Sequence, residues 1–172
     1  NRLVREVTEN LDNFDLGVAL SKLYDFIWDD FCDWYIELVK PRLFNKENPT
    51  AKTAQYVLTY VLSETMKLLH PFMPFITEEI WQHLPHNGES IMISDWPTYK
   101  EDLNFSEAEK NMNIIMNSIK AIRNTRTEMN VPVSRKAKII VVTELADVFK
   151  NGAIFFEKLA GASEVEVLSG SY

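Results

Sequence analysis

Apolar residues at Leu16, Leu20, Leu23, Ile27, Phe31, Trp34 and Leu38 recur by four and three, drawing one stripe down a long helix that is expected to end before Pro41. Leu3, Val4, Val7 and Leu11 make a shorter helix ahead of it. Asn13-Phe14-Asp15 connects the two, with Asp15 as the expected N-cap. After the break at Asn48-Pro49-Thr50, a third stripe runs through Ala54, Val57, Leu58, Val61, Leu62, Thr65, Leu68 and Leu69.

That third helix runs into His70-Pro71-Phe72-Met73-Pro74-Phe75-Ile76-Thr77-Glu78-Glu79-Ile80-Trp81, where two prolines three apart interrupt an apolar pattern. Proline has no amide donor and forces the residue before it out of the α region, so His70 closes one helix and Pro74 opens the next. The fourth helix is expected over Pro74 to Leu84. Phe72, Met73, Phe75 and Ile76 then form a buried apolar corner between two packed helices.

From Pro85 to Phe105 the pattern gives way to Pro, Gly, Asn and Asp, which reads as an ordered loop pinned by Ile91-Met92-Ile93 and Trp96-Pro97. Ser106-Glu107-Ala108-Glu109 has capping-box spacing and opens a fifth helix with the stripe Met112, Ile115, Ile119, Ile122 and Met129. Composition changes at Asn130-Val131-Pro132-Val133-Ser134. Beyond it lie a β-branched run from Ala137 to Thr143, a helix marked by Leu145, Val148, Phe149, Phe156 and Leu159 and closed by Gly161, and a short strand at Val165-Glu166-Val167. The expected fold is mainly α: an antiparallel bundle over 1–129, holding the loop 85–105, followed by a small β-α-β appendage over 130–172.

Composition narrows the function classes. With 172 residues and 46% hydrophobic content, the chain can bury a good core without staples. Its single cysteine, Cys32, excludes an internal disulfide framework and leaves too few thiols for a structural zinc site. No secretory segment or long apolar run is present, so a cytosolic, membrane-free setting is expected. A net charge of −7 argues against a domain that grips nucleic acid over its whole surface. The charge is uneven, however. Asp25, Asp29, Asp30, Asp33 and Glu37 load the second helix with acid, whereas Arg123, Arg126, Arg135, Lys136 and Lys138 gather late in the chain.

Catalytic and metal chemistry finds little support. His70, His83 and His86 lack the spacing and partners of a usual metal site, and His70 is expected to cap the third helix. Glu78 and Glu79 point about 100° apart on a helix and sit where its dipole favours anions. Asp25, Asp29 and Asp33 share a face, but without a glycine turn they make a poor calcium site and read as a solvated face. Trp34 lies on the buried stripe; Trp28 and Tyr35 flank it and stay open as base-stacking platforms. On the fifth helix Lys120, Arg123, Asn124 and Thr127 share a face. Arg126 projects close to the apolar stripe and is expected to pair with a carboxylate across the bundle. For Arg123, such a pairing and a grip on RNA phosphate are both open.

Three segments carry a resemblance. The dodecamer His70 to Trp81, the run Arg123-Asn124-Thr125-Arg126-Thr127-Glu128-Met129-Asn130-Val131-Pro132 and the motif Phe31-Cys32-Asp33-Trp34-Tyr35-Ile36-Glu37 resemble the anticodon-binding region of class I aminoacyl-tRNA synthetases of the valine, isoleucine, leucine and methionine group. Their wording is nearest the valine enzymes. The resemblance implies an anticodon stem-loop recognition module with tRNA for valine and the other domains of its polypeptide as partners. Lys40, Arg42, Lys120, Arg123, Asn124, Arg135 and Lys136 are then the candidate RNA contacts.

The resemblance also marks what is missing. The family's His-x-Gly-His and Lys-Met-Ser-Lys-Ser signatures do not occur, so no cofactor is expected in this chain and no activity from it alone; ATP with magnesium belongs to the full-length enzyme. An earlier helix with an Asn-Lys-x-Trp-Asn-Ala-x-Arg-Phe pattern is expected before Asn1, and a coiled-coil arm beyond Tyr172. A bundle lacking one helix could self-associate, and a helical protein-interaction domain without RNA affinity is the competing reading.

Overall fold

The computed structural model describes residues 1–45 and 47–170, and these fall into two compact units, 1–104 and 105–170. The first is helical. It comprises α1 (Arg2–Asp12), α2 (Leu16–Asp25), a π-helical stretch (Phe26–Ile36), α3 (Glu37–Phe44), α4 (Ala51–Leu69) and α5 (Pro74–Gln82), then single 3₁₀ turns at Ile91–Ile93 and Glu101–Leu103. None of the described helices is long and apolar enough to cross a membrane.

Val4 and Val7 of α1 meet Ala19 and Leu23 of α2 and Leu68 of α4 in one buried cluster, with Leu3, Leu11, Leu69, Phe72 and Trp96 packed around it. Full burial of a side chain such as Leu23 contributes about 2 kcal/mol. A second cluster joins Met66, Trp81 and Ile91 and thereby fastens the loop after α5. Ile91, Trp96 and the buried Pro97 are its anchors; Met92 and Ile93, expected to help, are exposed. Trp96 also donates from Nε1 to Thr8 Oγ1 at 2.9 Å. Between α1 and α2, Glu6 accepts from Lys22 at 2.8 Å, and that bond holds its carboxyl below the usual range.

The long helix departs from expectation in two ways. It does not stop before Pro41, which lies inside α3. The amide missing at Pro41 would have bonded the carbonyl of Glu37, the first residue after the π stretch, where the change from i+5 to i+4 spacing leaves a carbonyl over. The widened turn also shifts the phase of the stripe. Phe31 and Trp34 are buried as expected, and beyond them Val39 takes the buried place expected of Leu38; ahead of the π stretch, Leu16 and Leu20 are half exposed while Ala19 and Leu23 are buried.

The corner after α4 is likewise more open than its composition suggests. Pro74 starts α5, and the buried face of that helix is Thr77 and Trp81, four residues apart. Phe75 and Ile76 fall on the other side and, with Met73, are exposed; Phe75 is 90% so. His70 occupies the C-cap of α4, but its Nδ1 lies 2.8 Å from Thr77 Oγ1 instead of on a terminal carbonyl. Thr77 spends its own hydrogen on Met73 O at 2.8 Å, so His70 donates and the corner is closed across both helices. Asp15 stands at the N-cap of α2 without a side-chain cap bond.

The second unit is α6 (Ser106–Glu128), β1 (Ala137–Thr143), α7 (Ala146–Leu159) and β2 (Ala162–Ser169). The strands pair in parallel, with Ile139 opposite Val165 and Val141 opposite Val167, as a β-α-β crossover requires. Gly161, at φ +68°, ends α7 in the left-handed conformation that favours glycine. The capping box expected at Ser106 does not form: Phe105 holds the N-cap position and Ser106 is already helical.

By compactness the described residues group as 1–104 and 105–170. The helix α6, expected as the fifth bundle helix, groups with the β-α-β element. Its buried Ile115 sits against Gly152 of α7 so closely that a Cβ there would fall 2.6 Å from Ile115 Cδ1. Phe149 and Phe156, ring centroids 5.8 Å apart, extend the buried face of α7. Ser171 and Tyr172, the last residues of the expected appendage, lie outside the described residues.

Candidate nucleic-acid interface

The late basic cluster is divided by its own contacts. Arg123 Nε donates to the carbonyl of Leu159, the last residue of α7, at 2.6 Å. It fills one of the carbonyls that a helix end leaves without an internal partner. Arg126 does not meet a carboxylate across a bundle. Its Nη2 donates to the carbonyls of Pro132, at 3.3 Å, and Arg135, and its guanidinium lies over the bare face of Gly161. The reversal after α6 brings backbone carbonyls within reach before any acid, so the charge is met by dipoles. Lys138 is neutralised by Glu166 at 2.7 Å and Glu164 at 3.5 Å across the strand pair. The hydrogen bond that Lys138 donates to Glu166 leads the effects that raise its pKa.

What stays turned to water is narrower than the sequence suggests. Lys120, Asn124, Arg135 and Lys136 are exposed, and among the described residues the side chains of Arg135 and Lys136 have no ion pair or hydrogen bond. In the first unit, Lys40 is paired with Glu37 one turn earlier. Arg42 donates from Nε to Thr50 Oγ1 at 2.9 Å and from Nη2 to Thr50 O at 3.2 Å, latching the end of α3 to the start of α4.

The aromatic platforms separate in the same way. Trp34 is buried, as its place on the stripe predicts. Tyr35 packs on Phe31 at 5.9 Å, and burial pushes its hydroxyl pKa up. Trp28 is exposed and stacks on Tyr24, centroids 6.5 Å apart, beside the exposed Asp25 and Asp29. A second pair, Tyr56 and Tyr60 on α4, stacks at 6.4 Å and 13°.

The histidines and acids around α5 are each tied to local partners. His83 and His86 each bond a local carbonyl through Nδ1, Glu79 O and Leu84 O, both at 2.8 Å. Glu78 accepts from Gln82 Nε2 and Ser90 Oγ, each at 2.7 Å, and from the Ile91 amide at 3.2 Å; these bonds hold its carboxyl below the usual range. Glu79 faces His83 instead, at 3.9 Å. Asp25, Asp29 and Asp33 are exposed, and among the described residues no group of three or more His, Cys, Asp and Glu side chains is arranged to hold a metal ion.

The family profile described as anticodon-binding domain of tRNA ligase matches residues 1–141. The chain belongs to this anticodon-binding family. It is also 53% identical over 170 residues to a valine–tRNA ligase of Clostridium perfringens, 51% over 170 to that of Clostridium tetani and 45% over 171 to that of Bacillus thuringiensis subsp. konkukian. These alignments take in 97–98% of this chain and 19% of each ligase, so the chain spans about a fifth of the length of the curated relatives it matches.

Within this anticodon-binding domain, sequence reasoning overlooked the face of α4. Lys52, Tyr56 and Tyr60 stand four residues apart, and that spacing was legible. Lys100 was not, because only the folded loop carries its ammonium to 5.9 Å from the Tyr60 ring centroid.

Proposed function

We propose that this chain is the anticodon stem-loop recognition module of a valine–tRNA ligase that works in the cytoplasm. The observation that carries the reading is the 53% identity to the Clostridium perfringens ligase along 98% of the chain, taken with the family match over residues 1–141. Binding is its mechanism: exposed cations contact phosphate and set the register, and unstacked loop bases are read by aromatic or amide groups. Lys120, Asn124, Arg135 and Lys136 are the contacts we favour in the second unit. Lys40, Arg42 and Arg123 stay as candidates that also serve a fold contact.

The whole ligase would attach valine to its tRNA using ATP with magnesium. The residues of this chain do not fit that cofactor. Its five glycines are dispersed over α2, the loop after α5, α7, the turn before β2 and the end of β2, so none builds a phosphate loop. Charging activity is therefore assigned to the rest of the polypeptide, and the chain alone is expected to be inactive. Exposed Phe14, Phe44 and Phe75 favour burial against other domains of that polypeptide, or self-association when those are absent.

Titration with a valine-tRNA anticodon stem-loop at several salt concentrations tests the reading. Affinity should fall steeply with salt, and Arg135→Ala combined with Lys136→Ala should reduce the slope by roughly one unit per lost phosphate contact. Salt-insensitive or absent binding would refute recognition by this chain.

A further inference from the structure

We infer that the face of α4 made by Lys52, Tyr56 and Tyr60, together with Lys100, binds an unpaired stretch of RNA, one base stacking on Tyr56 and its neighbouring phosphates lying against the two lysines. The inference rests on the recognition reading and adds to it a set of residues in the first unit.

Three observations carry it. Tyr56 is 72% exposed, yet its ring is already aligned with that of Tyr60, 6.4 Å away and 13° from parallel, so a flat ligand meets a preformed surface. A base on an aromatic ring of this kind needs no sequence-specific bonds, because every base has a π face. The cation beside the pair is also held in place. Asn1 donates from Nδ2 to Lys100 O at 2.8 Å and accepts from Lys100 N at 3.0 Å, which clamps the backbone whose ammonium reaches Tyr60.

Along α4 the charge has the required sign. From Ala51 to Ser63, α4 carries Lys52 as its one charged residue, and the first acid after it, Glu64, is paired with Lys67 at 3.0 Å. Arg42, bonded to Thr50, adds a cation at the start of the same helix. Beside Lys100 stand two acids, Glu101, which accepts the Tyr99 hydroxyl at 2.9 Å, and exposed Asp102, while Arg5 lies over the Tyr99 ring at 4.8 Å. Exposed Thr53 and Gln55 supply hydrogen-bonding groups for base edges.

The Tyr24–Trp28 pair provides an internal contrast. Its stacking is as good, at 6.5 Å and 9°, but Asp25 and Asp29 beside it would repel phosphate. Geometry alone does not separate the two platforms; charge does.

The test uses the full chain and a valine-tRNA anticodon stem-loop carrying 2-aminopurine in the loop. Tyr56→Ala should weaken binding by about 5- to 150-fold and abolish the fluorescence quenching that stacking produces, whereas Tyr56→Phe should restore both. Lys52→Glu should also weaken binding, and Trp28→Ala should leave it unchanged. Wild-type binding that Tyr56→Ala and Lys52→Glu leave intact would overturn this inference while recognition stands. Absence of wild-type binding would overturn both. Intact RNA affinity with a sedimentation change in Tyr56→Ala would assign the face to protein docking and overturn it as well.

Discussion

Arg123 of α6 donates its Nε hydrogen to the carbonyl of Leu159 at the end of α7, so a residue that reads from sequence as an RNA ligand first closes a helix. Removing it leaves a terminal carbonyl short of a donor. Arg123→Ala should therefore lower stability by about 1–2 kcal/mol, a charge-assisted bond at an exposed site. Urea unfolding monitored by circular dichroism measures this, and unchanged stability would show that water replaces the bond at no cost.

Gly152 gives a sharper test of packing in the same unit. A Cβ at that position meets Ile115 Cδ1 at 2.6 Å and Cγ1 at 3.2 Å, and Ile115 is buried. The helix gains about 1 kcal/mol from alanine over glycine, while overpacking costs about 1–3 kcal/mol. Gly152→Ala should be net destabilising, and adding Ile115→Val should recover part of the loss in thermal melts. A single variant more stable than wild type would contradict the close approach of α6 and α7.

Glu78 makes the first unit sensitive to acid. Bonds from Gln82, Ser90 and the Ile91 amide hold its carboxyl below the ordinary range, so its stabilising contribution is full above that range and fades as pH falls through the lowered value. Amide exchange at Ile91, corrected for intrinsic rate, should lose protection over that acid window. Glu78→Gln should remove most of this pH dependence. Retention of the full dependence in the variant would place the titrating group elsewhere.

Thr8 joins the loop to α1, since it accepts from Trp96 and donates to Val4 O at 2.8 Å. Thr8→Val keeps the shape and strands a half-buried indole N–H, at a cost of about 1–2 kcal/mol. Indole proton exchange at Trp96 should accelerate with it.

Much of the fold could be read from residue order. The α1 stripe, the α4 stripe, the opening of α5 at Pro74 and both strands follow from periodicity and from where Pro and Gly stand. The π stretch could not, because Phe26 to Ile36 has no composition that marks i+5 bonding; once present, it moved the buried place from Leu38 to Val39. The grouping of α6 was also hidden. An apolar stripe records that Ile115 and Ile119 are buried, not that Gly152 of α7 receives one of them.

The candidate interface was legible as residue types and less so as geometry. Lys136 and Arg135 could be picked out by charge, but nothing in the order of residues shows that Arg126 would find carbonyls or that Lys138 would reach Glu166 on the neighbouring strand. Partnering is a property of three-dimensional neighbours. The Tyr56–Tyr60 platform went unread for the same reason, since the cation over the Tyr60 ring arrives from 40 residues away, at Lys100.

Hydroxyl-radical footprinting of intact valine tRNA bound to this chain tests the central claim most directly. Protection should be concentrated on the anticodon stem and loop, and should weaken as salt rises. Protection confined to the acceptor arm, or none at concentrations where the chain stays folded, would contradict an anticodon-recognition role.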